Sequence, residues 1–376
     1  MTEPQTSHPT DLAAIELAEH RWFYAGGRYV TRAGQTYREG AMYVEQYTPA
    51  SAGTRPPVVM FHGGAQTGSN FTGTPDGRRG WLHDFLRAGY TVFVVDQPER
   101  GRSGHLANSE GRYDLVRYSA ERIESRFTAC ADDPLWPQAA LHTRWPGSGR
   151  RGDPVFDQFF GSQVQMSPDR AGMERMLQQA GACLLERIGP AILLTHSQSG
   201  PFGWLLADAC PARVAAIIAI EPNGPPFHEV DLRGVAEDGQ TVLHAYEPTA
   251  TRAFGITHAP LRYQPPLAEG ETLACVWDVP APTPDRVGGY RQPSPARQLP
   301  NLSGIPILIV TAEASYHAPY DHLTSAFLSQ AGVEHEHVCL AERGISGNGH
   351  MMMLESNNHE IADLLIGWLD ARRLAG

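Results

Sequence analysis

The chain reads as an α/β protein, built on a mainly parallel sheet that is covered by helices on both faces. Three observations predict it. Short runs such as Pro57-Val58-Val59-Met60-Phe61 are apolar throughout, as strands buried on both faces must be. These runs alternate with segments of helical pattern. One of them, Ala191-Ile192-Leu193-Leu194, ends in the turn Thr195-His196-Ser197-Gln198-Ser199-Gly200 and passes directly into the helix former Phe202-Gly203-Trp204-Leu205-Leu206-Ala207-Asp208. A strand, a sharp turn with a serine at its apex and a helix push one side chain out of the backbone, and small neighbours are needed to allow it. Thr195 and Ser199 stand where glycine is usual in Gly-X-Ser-X-Gly, so the turn is a variant. A serine there serves structure as readily as chemistry, and the rest of the chain must decide.

The elements follow in order. His20-Arg21-Trp22-Phe23-Tyr24 and Ala41-Met42-Tyr43-Val44-Glu45-Gln46-Tyr47 form an antiparallel lead-in, with turns expected at Gly26-Gly27 and Gly34-Gln35. The strand over 57–61 ends in His62-Gly63-Gly64. A short helix over 80–89 stops at Gly89, and 90–96 is a buried strand ending at Asp96. A long amphipathic helix is expected over 168–188, with Ser167 as its N-cap and Pro168 in its first turn. After the serine turn come a strand over 214–220 ending at Glu221, a strand over 306–311 ending near Glu313, and a helix near 319–331. A strand at His335-Glu336-His337-Val338-Cys339-Leu340 and a last helix over about 357–373 close the chain. Residues 105–166 and 223–303 break the alternation. Connections this long inside a compact domain are functional loops or lids, so the expectation is one domain over 1–376 with both stretches inserted as a lid.

Composition narrows the chemistry. The chain has 376 residues, 41% of them hydrophobic and 9% aromatic, which suits an ordinary core. A formal net charge of -11 argues against nucleic-acid binding. No apolar run reaches the ~18 residues of a membrane span, and the polar start Met1-Thr2-Glu3-Pro4-Gln5-Thr6-Ser7-His8 has no signal pattern. All 30 basic residues are Arg. Without lysine there is no Schiff-base chemistry, no Walker A loop and no Ser–Lys pair; a serine nucleophile must take a histidine as base. Cys130, Cys183, Cys210, Cys275 and Cys339 are scattered and form neither a disulfide nor a zinc framework. A cytoplasmic protein is the default expectation. The His335-Glu336-His337 pair lacks a third ligand, and no Gly-X-Gly-X-X-Gly opens a helix, so no metal and no cofactor is expected.

In open parallel sheets active sites lie outside the carboxyl ends of the strands. The polar residues there are His62, Asp96, Ser197, Glu221, Glu313 and the Gly-rich loop Gly344-Ile345-Ser346-Gly347-Asn348-Gly349-His350. A serine needs a base in hydrogen-bond reach, and the base needs an orienting carboxylate. His350, in a Gly-rich loop between the last strand and the last helix, is the candidate base.

These landmarks resemble the α/β-hydrolase superfamily. His62-Gly63-Gly64, Asp96-Gln97-Pro98-Glu99-Arg100-Gly101-Arg102-Ser103, the Ser197 turn and Gly349-His350 occur in the family's order, over roughly 40–104 and 168–373. The wording is similar to a small group of bacterial carboxylesterases with a His-Ser-Gln-Ser-Gly elbow, whose triad acid follows the next strand. The resemblance implies an α/β-hydrolase fold with lid insertions and a Ser197–His350–Glu221 triad. Glu221 ends an apolar run, where a carboxylate needs a partner; Glu313, with Asp321 behind it, is the rival acid. The oxyanion donors would be the backbone N–H groups of Gln198 and Gly64, with Ala65 the alternative to Gly64. Ser199, two residues into the turn, is the less suitable nucleophile. His62, Ala65, Phe156, Phe159 and Phe160, with Trp136 and Trp145, are candidates for a bulky apolar substrate pocket. The Arg144, Arg150 and Arg151 stretches read as solvated surface, with carboxylate binding the sharper alternative. The expected activity is hydrolysis of a carboxylic ester through an acyl-enzyme. Amides, carbamates and lactones use the same machinery, and a lyase or C–C hydrolase can be built on the same scaffold. The expected partner is a small ester-like molecule, not nucleic acid or membrane; a homodimer is an open assembly.

Overall fold

The apolar runs pair as strands because each carries side chains that only two covered faces can bury. A computed structural model of the chain describes residues 14–105, 115–236, 242–372 and 374. The N-terminal octapeptide and part of the first insertion lie outside the described residues.

The strands in chain order are β1 (Leu17–Arg32), β2 (Gln35–Pro49), β3 (Val58–Phe61), β4 (Val92–Asp96), β5 (Ala191–His196), β6 (Val214–Ile220), β7 (His228–Val235), β8 (Val242–Thr251), β9 (Val276–Val279), β10 (Gly289–Arg291), β11 (Ile307–Thr311) and β12 (Glu336–Cys339). Eight of them form one sheet in the order β1-β2-β4-β3-β5-β6-β11-β12. β1 and β2 are antiparallel, and β2 runs antiparallel to β4. From β4 to β12 every pairing is parallel. The helices are α1 (Ser69–Thr72), α2 (Trp81–Arg87), α3 (Ala120–Ile123), α4 (Pro154–Gly161), α5 (Arg170–Ile188), α6 (Gly200–Ala209), α7 (Asp321–Gln330) and α8 (Asn358–Asp370).

The period-2 alternation of strand side chains divides the core in two. Val59, Phe61, Leu193, Ile217 and Ile309 pack with Leu177 and Leu184 of α5, Trp204 of α6 and Phe327 of α7. Val58, Met60, Leu194, Ile218 and Val310 pack with Trp81 and Phe85 of α2 and Ile361 and Leu365 of α8. Each such side chain contributes about 1.5–3 kcal/mol by leaving water.

The structure corrects two local expectations. Gly26-Gly27 is not a turn: β1 runs through it, and the hairpin reverses at Ala33-Gly34. The glycines serve close approach instead, since a Cβ on Gly26 would stand 2.7 Å from the Ala180 backbone of α5. The long helix begins at Arg170, not Pro168, and its N-cap is Asp169, which accepts from the Gly172 N–H. Ser167 accepts from the Asp169 N–H one step earlier, at 3.0 Å. Within 223–303 the chain forms two small hairpins, β7–β8 and β9–β10, apart from the main sheet.

Candidate active site

The parallel register brings four strand ends side by side. Phe61 of β3 pairs with Thr195 of β5, His196 of β5 with Ile220 of β6, and Ile220 with Val310 of β11. His62-Gly63-Gly64, Ser197, Glu221 and the loop after Thr311 therefore open at one edge.

Ser197 sits at φ +56°, a left-handed conformation that costs a non-glycine residue energy and holds its side chain out of the turn. The tightness explains the small residues around it. A Cβ on Gly200 would stand 2.4 Å from Pro222 Cβ, and one on Gly63 would stand 2.9 Å from His196 Nδ1. Ser199, by contrast, is fully buried and committed to the turn: its hydroxyl lies 2.8 Å from Phe61 O and accepts from the His196 N–H.

His350 Nδ1 donates to Glu221 Oε2 in a short contact between two wholly buried groups. Glu221 also accepts from the Ser315 hydroxyl at 2.6 Å and, on its other oxygen, from the Ala312 N–H at 2.8 Å. Burial raises the carboxyl's pKa, Asp321's charge adds to the effect, and the Ser315 and Ala312 donors oppose it. Burial likewise holds His350 well below the ordinary imidazole value, helped by His196, His317 and Arg126. The imidazole is packed on every side: Phe127 and His317 stack on it at 5.4 and 4.9 Å, and His196 lies at 4.5 Å, its Nε2 donating to His350 O. His350 Nε2 meets the Tyr316 hydroxyl at 3.2 Å. Tyr316 thus occupies His350 Nε2 in this resting arrangement, the atom a nucleophile's proton must reach.

A neutral base in the resting site fixes the pH dependence. Protonation of His350 as pH falls removes the base, and a pKa lowered by burial moves that loss downward. The acid limb of kcat/KM is therefore expected below pH 6.5, the ordinary histidine value. A pH–rate profile whose acid limb falls at or above that value contradicts the burial argument.

The histidine loop is clamped from behind. Glu355 accepts from the Gly349 N–H at 2.9 Å and the Asn348 side chain at 2.7 Å, and pairs with His142 at 2.7 Å. Burial alone would lower His142, but Cys130 and Glu355 outweigh it and push its pKa up to about 10. Glu313 holds the front of the loop, accepting from the Gly347 N–H at 2.7 Å. It is Glu221, not Glu313, whose carboxylate meets His350. Asp321 lies a step further back, against His317 Nδ1 at 2.8 Å. Glu221, His317 and His350 offer ligand atoms within 4.8 Å of one another, a set that competes with the His350–Glu221 bond.

Gly64, Ser197 and Gln198 line a cleft of about 820 Å³. The Gly64 N–H makes no backbone hydrogen bond among the described residues. Arg100 is buried under this loop, donating to Gly63 O at 3.0 Å and to Gln198 Oε1 at 3.1 Å. Ala65 is wholly buried at φ +56°, and its carbonyl accepts from the Val164 N–H.

The aromatic pocket candidates lie elsewhere. Phe156 and Phe159 pack in the sheet core, with Phe160 and Trp145 against them, because α4 turns its apolar face inward. Trp136 is buried, its indole N–H donating to Ala314 O. His62 does not face the cleft: its Nε2 accepts from the Gln97 N–H at 3.1 Å, and burial together with Arg100 holds its pKa near about 3. The cleft walls are instead Tyr118, Phe127, Met166 and Tyr316 with several arginines. Sequence reading missed Ser315, Tyr316 and His317. Their signal was position, directly after the strand end where Glu313 alone drew notice.

A doubly covered parallel sheet, a strained serine at the end of its fifth strand and a histidine–carboxylate pair beside it define an α/β hydrolase. Residues 56–355 match the family model for the alpha/beta hydrolase fold, and the chain belongs to that family and is a hydrolase. It is similar to the probable secreted lipase phiG of Fungal sp. (strain ATCC 74256), with 42% identity over 348 residues, 93% of this chain and 88% of that protein. Among solved structures it resembles a novel bacterial esterase, at a TM-score of 0.61 and 23% identity, over 97% of this chain and 98% of the other. That likeness bears on the fold. The relative's name as a secreted protein overturns the cytoplasmic expectation. That expectation leaned on the absence of a disulfide framework, which a core of this size does not need in any compartment.

Proposed function

We propose that the protein cleaves a carboxylic ester through an acyl-enzyme, with Ser197 as nucleophile, His350 as base and Glu221 as the orienting acid. The chain is a hydrolase of the esterase–lipase kind. The observation that carries the finer reading is the His350–Glu221 bond beside the strained Ser197.

Ser197 Oγ forms a bond to the ester carbonyl carbon while its proton passes to His350 Nε2. The carbonyl electron pair moves onto oxygen, between the N–H groups of Gly64 and Gln198, donors worth about 3–4 kcal/mol each in the transition state. Collapse breaks the bond to the alkoxy oxygen, which takes the proton from His350. Water then repeats the sequence, its proton going to His350 and on to Ser197, and the acid leaves. Glu221 keeps Nδ1 protonated so that Nε2 faces the serine. Arg100, behind Gln198, sets the oxyanion side. In this reading the segments that wall the cleft, residues 116–127 and 229–232, belong to a lid over the site.

Rapid mixing with p-nitrophenyl acetate tests the covalent step. A burst of p-nitrophenol approaching one equivalent of enzyme is expected wherever deacylation is the slower step. A slow linear release that Ser197→Ala leaves unchanged contradicts the reading.

A further inference from the structure

Arg122 and Arg126 stand four positions apart where α3 passes into a π-helical turn, Glu124–Thr128, so both project from the same side. Turns of this kind recur at functional sites. Both arginines line the cleft around Ser197. Each guanidinium lies over a tyrosine, Arg122 over Tyr118 at 4.5 Å and Arg126 over Tyr316 at 5.7 Å. Each tyrosine in turn reaches the reacting groups. The Tyr316 hydroxyl contacts His350, and the Tyr118 hydroxyl lies 3.3 Å from where a Cβ on Gly64 would stand. The two cations therefore flank the serine, one on the oxyanion side and one on the histidine side.

Neither guanidinium makes a hydrogen bond among the described residues. Arg126, 19% exposed, is ion-paired with Asp231 at 3.6 Å, an acid that Arg233 shares, while the exposed Arg122 has no acid partner among the described residues. Of the other charges at the cleft, Glu229 is matched by Arg170 and Arg252 and Glu121 by Arg151, while Arg117 lies over the Phe160 ring at 5.9 Å. A chain of net charge -11 thus lines the cleft of its reacting serine with one unmatched cation, Arg122, and one, Arg126, that shares its acid with Arg233. Planar guanidinium forks suit carboxylates, and a cationic cleft raises the local concentration of anions.

We infer that Arg122 and Arg126 bind a carboxylate carried by the substrate itself, so that the preferred substrate is an ester with a second, ionised carboxyl group, such as a monoester of a short dicarboxylic acid. This rests on the ester-hydrolase reading above.

Monomethyl adipate and methyl hexanoate differ in that terminal charge and are compared by pH-stat. The wild type is expected to show kcat/KM about tenfold higher for the anion, as for a charge-assisted hydrogen bond. That preference should shrink as salt rises from about 20 to about 500 mM. In the double variant Arg122→Gln, Arg126→Gln the anion-to-neutral ratio is expected to collapse to about one. No anion preference in the wild type, or a preference that the double variant retains, overturns the inference. Calorimetric titration of adipate into Ser197→Ala separates the two readings. Adipate binding that is lost on removing both arginines upholds the anion site even if neither ester turns over, and the missing turnover then counts against the ester-hydrolase reading. Adipate binding unaffected by the arginines overturns the anion site.

Discussion

Replacing Ser197 with Ala is expected to lower kcat on any accepted ester by about a million-fold, the scale of losing a triad nucleophile. The size follows from the absence of a substitute. Ser199 is the nearest other hydroxyl in the turn, but it is buried and tied to Phe61 O and the His196 N–H. With no lysine in the chain, no lysine amine can take over as nucleophile or base. Residual rate from the oxyanion donors alone stays far below wild type. The variant should fold, because an alanine at φ +56° meets the same strain as the serine it replaces. Steady-state kinetics with matched thermal melts make the check; a folded variant retaining more than about a hundredth of the wild-type rate contradicts the assignment.

The second large effect concerns the acid. Glu221→Gln is expected to cost about 10⁴ in kcat, because a neutral amide can hold the wrong imidazole tautomer and cannot stabilise the imidazolium. Glu313→Gln is expected to cost less than about tenfold. Its oxygen accepts one backbone N–H from the histidine loop, and a glutamine carbonyl can do the same. The paired measurement discriminates because both residues follow neighbouring strands and either could be the acid by position. A large loss at Glu313 with near wild-type turnover at Glu221 reverses the assignment.

The sheet was legible because its signal is local and redundant. Fully apolar runs with helices between them leave few alternatives to a doubly covered parallel sheet, and the family match agrees. The elbow was legible for a steric reason, since only small residues tolerate the approach at Gly63 and Gly200. His350 was legible from its Gly-rich loop. The pairing of Glu221 with His350 was not readable from spacing, because it depends on β6 lying beside β11 and the last loop folding back. Phe156, Phe159 and Phe160 misled because an aromatic cluster looks the same whether it faces a ligand or a core; the orientation of α4 decides. Tyr316 and the two cleft arginines escaped because each gains meaning only from a partner far away in sequence.

The most direct test of the central claim is stoichiometric labelling with a fluorophosphonate, followed by peptide mapping. The account predicts one adduct per chain, on Ser197, slowed only in acid well below the ordinary histidine value, where His350 becomes protonated, and absent from Ser197→Ala. An adduct on Ser199 or any other residue, or an active enzyme that takes no label, contradicts it.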